Sequence, residues 1–191
     1  MRLPVLAGAA AAFVIAGAAT AQPAAKYPSL VPTFERLCLA DGVDPVAQQG
    51  RLEGAAGWTA DPAVTIDISK MEFSRAIDQN YRFRTVEAAR QWSGTIDGAP
   101  ARLVLATFPA KERYKHLCAI VIDDVENAMP YGDAVRAAFR TFGIGGKSVD
   151  LVHYYEFAGR FGADKHPVRG EIFTRSQGGP GPKTAHIYVA Y

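Results

Sequence analysis

Leu117-Cys118-Ala119-Ile120-Val121-Ile122, LCAIVI, is apolar at every position. A strand with one wet face alternates apolar and polar residues, whereas a strand covered on both faces does not. The run therefore predicts the central strand of a sheet. It also puts Cys118 in the core, within reach of Cys38 on a first helix.

The flanking sequence builds the sheet outward. Trp92, Gly94 and Ile96 alternate with Gln91, Ser93 and Thr95, Asp97-Gly98 makes a hairpin turn, and Ala101–Phe108 returns as the partner strand. After the central strand, Pro130–Phe142 carries Val135, Ala138, Phe139 and Phe142 on one helical stripe and stops at Gly143. Three further strands are read at Val149–Phe157, Gly170–Ser176 and Thr184–Tyr191. Gly- and Pro-rich stretches such as Gln177–Lys183 (QGGPGPK) separate them.

Upstream, Leu30, Phe34, Leu37 and Cys38 recur at helical spacing over Ser29–Ala40. Asp44-Pro45 reads as an N-cap with Pro at the first helical position, opening a second helix that ends near Gly57-Trp58. Ala63–Phe83 mixes a short alternating stretch (Val64, Ile66, Ile68) with a weak helical pattern. The expectation is an α+β fold. It has a single antiparallel sheet of six to seven strands, with two N-terminal helices and one central helix packed on one face.

Arg2, an apolar run from Val5 to about Ala18 and Ala19-Thr20-Ala21 together predict a cleaved signal peptide over residues 1–21. The run is short for a membrane span, which needs roughly 20 apolar residues. Residues 22–28 read as a flexible tether, and 29–191 as one domain. Cleavage removes only Arg2 from the 21 Lys+Arg, leaving 20 against 19 Asp+Glu, a net +1. A scattered, balanced charge argues against nucleic-acid partners and against a polybasic membrane clamp. Export to the periplasm or beyond places the two cysteines, Cys38 and Cys118, where a disulfide persists.

Phe34-x-x-Leu37-Cys38-Leu39, with Gly57-Trp58 further on, is similar to small uncharacterised bacterial exported proteins. These commonly join an early Cys to one in a mid-chain strand, here Cys118. The resemblance implies a shared scaffold and carries over no functional residue.

Chemistry-bearing motifs are few. Gly143-Ile-Gly-Gly-Lys-Ser148 ends like a phosphate-binding loop, yet Thr141 stands where such a loop needs its first Gly. The segment reads instead as glycines ending a helix. His116, His153, His166 and His186 show no zinc-protease spacing, and a metal site of two histidines with Glu171 is not expected. No G-x-S-x-G is present. Asp123, Asp124 and Glu126 match no calcium loop, and Arg169 and Arg175 near Glu171 read as surface pairs.

One candidate ligand surface remains. An antiparallel meander can make His153 and His186 neighbours, with Tyr155 and Tyr188 flanking them, since residues two apart share a face. The functional expectation is a soluble envelope protein without cofactor or metal that binds a protein or small ligand, as monomer or homodimer. The alternative is a cofactor-free hydrolase using His153 or His186 as general base.

Overall fold

The computed structural model describes residues 24–40, 44–61, 87–111, 114–123, 128–138, 144–149, 152–161, 166–175 and 184–191. Among these, eight strands form one antiparallel sheet: β1 (Trp58–Asp61), β2 (Ala88–Ile96), β3 (Ala99–Thr107), β4 (His116–Asp123), β5 (Ile144–Val149), β6 (Val152–Phe161), β7 (His166–Arg175) and β8 (Thr184–Ala190). Their spatial order is β1-β2-β3-β4-β8-β7-β6-β5. Two four-stranded meanders thus lie side by side, joined where β4 pairs with β8. The run LCAIVI occupies this seam, and all six of its residues are at most 2% exposed.

The register explains the sequence pattern. One row across the sheet is Ala60, Trp92, Leu103, Ile120, Ile187, Ile172, Tyr155 and Gly146, one residue from each strand. The next row along, one residue away and therefore on the other face, is Asp61, Gln91, Val104, Ala119, Tyr188, Glu171, Glu156 and Gly145. From Trp92 to Tyr155 the first row belongs to the main core; the second carries the polar and acidic groups.

Helical residues pack on the first face. A short α-helix, α1 (Leu30–Phe34), widens into a π-helical turn over Glu35–Leu39, and α2 covers Pro45–Glu53. Leu30, Val31, Phe34, Leu37 and Leu52 share one buried cluster with Trp92, Leu103, Ile120, Phe157 and Ile187. Phe34 meets Phe157 edge-on, centroids 6.3 Å apart, a favoured aromatic geometry. Asp44 caps α2 as its sequence implies, accepting from the Val46 and Ala47 N–H groups at 2.9 and 3.4 Å. A 3₁₀ turn (Met129–Tyr131) leads into α3 (Gly132–Ala138). Val135 and Tyr131 join the same core.

The Cys38–Cys118 disulfide links the π-helical turn to the seam strand across 5.7 Å between Cα atoms. Asp97 (φ 50°) and Gly98 (φ 84°) both lie in the left-handed region, the conformation that a two-residue hairpin turn requires.

Two strands depart from the sequence reading. Trp58–Asp61 pairs along β2, starting at the residue near which the second helix was expected to end. Ile144–Val149, expected to hold glycines ending a helix, is an edge strand on β6. Pairing with a neighbour overrides weak local preference. The expected signal peptide at residues 1–21, the Val64–Ile68 alternation, Phe139, Phe142 and the expected Gln177–Lys183 loop lie outside the described residues.

Candidate functional site: a cleft beside the first strand

Among the described residues, β1 pairs with Gln91–Gly94 of β2. Beside β1 and β2 lies a cleft of about 410 Å³, lined among the described residues by Glu53, Ala60, Asp61, Ala89, Arg90, Gln91 and Trp92. That volume is in the range of small-molecule sites, roughly 300–1,000 Å³. Because Gln91 and Trp92 are consecutive in a strand, they project to opposite faces.

Its polar groups are ordered by one another. Gln91 Nε2 and Ser93 Oγ both donate to Asp61 Oδ2, at 2.9 and 2.6 Å. These bonds, that of Gln91 foremost, hold the Asp61 carboxyl below its ordinary range, so it is ionised at neutral pH. Arg90 Nη1 lies 2.8 Å from Glu53 Oε1, which also accepts from Gln49 Nε2 at 2.9 Å. The Arg90–Glu53 pair is more than half exposed on both sides and contributes little to stability. Trp92 is 2% exposed, and its Nε1 is buried without an acceptor among the described residues. A buried donor without a partner is costly to the fold.

The sequence-derived His/Tyr group is divided by the sheet. Tyr155 stands in register with Ile172 and Ile187 on the helix-covered face, whereas Tyr188 stands with Glu171 and Glu156 on the other. His153 is opposite Thr174 and His186 opposite Phe173, so their register positions also belong to opposite faces. β7 separates the strands that carry them. Position two apart along one strand was legible; the one-residue offset between strands was not.

Glu171, read from the sequence as a surface partner, is fully buried. It lies between Tyr188 and Glu156 in register, and Glu156 is 4.0 Å from Arg169. Burial first, and then the charges of Glu171 and Glu156, push the Tyr188 phenol well above its usual range.

A second polar group sits beneath α2. Buried Gln48 donates to the Cys38 carbonyl at 2.6 Å and accepts from the Tyr191 hydroxyl. His116 lies against the Tyr191 ring, centroids 5.4 Å apart, and burial lowers its pKa. Neither group was anticipated, because polar residues isolated in sequence become neighbours only through strand register and helix docking.

Comparison with protein-family models, curated proteins and solved structures finds no match. Among the described residues, no helix is long and apolar enough to cross a membrane, and no three His, Cys, Asp or Glu side chains are grouped to hold a metal ion.

Proposed function

We propose that this chain is an exported envelope domain, periplasmic or secreted, that works by binding a small ligand at the cleft beside β1. The observation that carries the reading is the cleft itself: about 410 Å³ with a pre-bonded carboxylate and an ion pair in its lining. Ordered polar groups around a concavity lower the cost of binding, because the protein has less to immobilise when the ligand arrives. The Cys38–Cys118 disulfide supports the export half of the reading, since such bonds persist in oxidising compartments.

Isotope-labelled mature protein, screened by nuclear magnetic resonance against a library of small polar fragments, tests the binding half. The expected result is saturable movement of the Ala60, Asp61 and Ala89–Trp92 signals. Fragment binding that leaves all of them unmoved overturns the assignment of the cleft. For the export half, the expected result is envelope-fraction protein beginning at Gln22 with both thiols blocked; full-length cytosolic protein with free thiols overturns it.

A further inference from the structure

We infer that His116 is a pH-sensitive latch for α2: its protonation at mildly acidic pH releases the helix from the sheet and, with it, Glu53 from Arg90 in the cleft wall. The juxtaposition behind this is a half-buried imidazole packed on Tyr191, whose hydroxyl holds α2 through Gln48.

α2 is lightly held. Of its nine residues only Gln48 and Leu52 are buried, while Val46 is 78% exposed. The N-cap Asp44, Gln48 and Arg51 follow at helical spacing, so the side turned to Tyr191 is polar. Gln48 accepts from the Tyr191 hydroxyl and donates to the Cys38 carbonyl at 2.6 Å. A helix docked by one buried apolar side chain and one buried amide belongs to the low-stability end of a structure, where local opening begins.

His116 bears directly on that docking. It opens β4 two residues before Cys118 and so shares the helix-covered face with it. Its backbone exchanges two hydrogen bonds with Tyr191, at 2.9 and 3.1 Å, and the two rings lie 5.4 Å apart. Its Nδ1 is buried with no hydrogen-bond partner among the described residues. A neutral imidazole can leave that nitrogen as a bare acceptor, whereas the imidazolium must place an N–H and a charge there.

The surrounding charges do not reverse this. Asp44 favours the imidazolium, but burial outweighs it and lowers the His116 pKa. Arg51 on the same helix acts on the Tyr191 phenol. Lys115, next in the chain, donates its Nζ to the Ala110 carbonyl at 2.5 Å, and Tyr114 acts on Tyr188 at the other face. The docked state therefore binds the proton less tightly than the released one. Docking is fully present above about pH 6.5, the ordinary imidazole value, and is lost as pH falls through the window beneath it. Glu53 is the last residue of α2, so its 2.8 Å pairing with Arg90 is lost when the helix lifts.

The test follows backbone hydrogen exchange in labelled mature protein at pH 7.5 and 5.5, corrected for the intrinsic pH dependence of exchange. The expected result is a severalfold rise in the opening equilibrium of the α2 amides at pH 5.5, while the α3 amides hold. One proton allows at most about tenfold per pH unit. The His116 ring should titrate below about pH 6.5, and the Arg90 Nε signal should follow it. His116→Gln, which does not titrate, should make α2 opening independent of pH. If that variant does not fold, the wild-type titration decides: a ring that titrates at or above pH 6.5 overturns the latch.

α2 opening that is the same at both pH values, or that changes as much in His116→Gln, also overturns it. So does equal opening of α3, which reports unfolding of the whole domain. α2 opening that leaves the Arg90 signal unmoved overturns the reach to the cleft wall. None of these readouts uses a ligand, so the latch and the cleft as a binding place can fail separately.

Discussion

The Asp97 carboxylate holds both hydrogen-bond donors of Ser29, 68 residues earlier: the Ser29 N–H donates to Oδ2 at 2.8 Å and its hydroxyl to Oδ1 at 2.7 Å. Ser29 makes no side-chain cap of its own for α1. A hairpin turn thus supplies the anion that the helix start favours, and fixes the helical layer to the β2–β3 end of the sheet. Asp97→Ala removes both bonds and places Ala in a left-handed conformation that it disfavours. The expected loss is about 1–2 kcal/mol by urea denaturation. Asp97→Asn tolerates the same backbone and retains an acceptor, so it should lose about half as much or less. Equal losses for the two variants would remove the cap from this account.

Glycine recurs where an aromatic ring crosses the sheet. A methyl group at Gly170 would lie 2.2 Å from two atoms of the Phe157 ring and 2.4 Å from the Tyr188 carbonyl. At Gly94 it would lie 2.8 Å from the Trp58 ring and from the Gly57 carbonyl. Both aromatics face their glycine directly across a strand pair. Gly170→Ala should destabilise by about 3 kcal/mol or more, because ring and backbone must both shift at the packed centre. Gly94→Ala, near the sheet edge, should cost less. Thermal unfolding of the two variants checks the order, and a reversal would mean that the Phe157 ring moves more freely than its burial implies.

The seam and the hairpin were legible because their signals are local. LCAIVI has no polar residue to turn toward water, and Asp97-Gly98 suits a backbone that few other pairs adopt. Register was not legible. His153 and His186 each share a face with the tyrosine two residues on, as period-two alternation requires, yet their strands are offset so that the pairs fall on opposite faces. The cleft was hidden for the same reason: Gln91 and Ser93 were visible as one polar stripe, but their partner Asp61 lies in a four-residue strand with too little sequence to show alternation. Ile144–Val149 contains two adjacent glycines, poor strand formers that only pairing with β6 explains.

The disulfide offers a larger effect. It closes a loop of 80 residues, and both sulfurs belong to residues fully buried between the π-helical turn and β4. In the chain-entropy description such a loop restricts the unfolded chain by roughly 4.5 kcal/mol. The double variant Cys38→Ala, Cys118→Ala should lose stability on that order in urea, with a smaller part from the lost sulfur packing. Dithiothreitol should act slowly on the folded protein and quickly once urea is added, because the bond is inaccessible until the helix lifts. Rapid reduction without denaturant would contradict the packing described.

Tyr191 links the chain's last described strand to α2. Its hydroxyl donates to Gln48, whose amide in turn donates to the Cys38 carbonyl, so one buried chain of bonds runs from the sheet to the disulfide. Tyr191→Phe removes the donor while leaving the Gln48 oxygen buried, and should cost about 1–3 kcal/mol. The pH dependence separates this from a simple packing change. Burial raises the Tyr191 pKa above its ordinary value, with the Gln48 bond opposing. The unfolded phenol ionises near pH 10, while the folded one stays neutral. The folded state therefore binds the proton more tightly, and stability present below about pH 10 is lost as pH rises above it. Urea midpoints should fall more steeply above that pH in the wild type than in Tyr191→Phe, with the buried Tyr188 accounting for part of the slope that remains. Identical alkaline slopes in the two proteins would mean that the phenol is reached by solvent in the folded state.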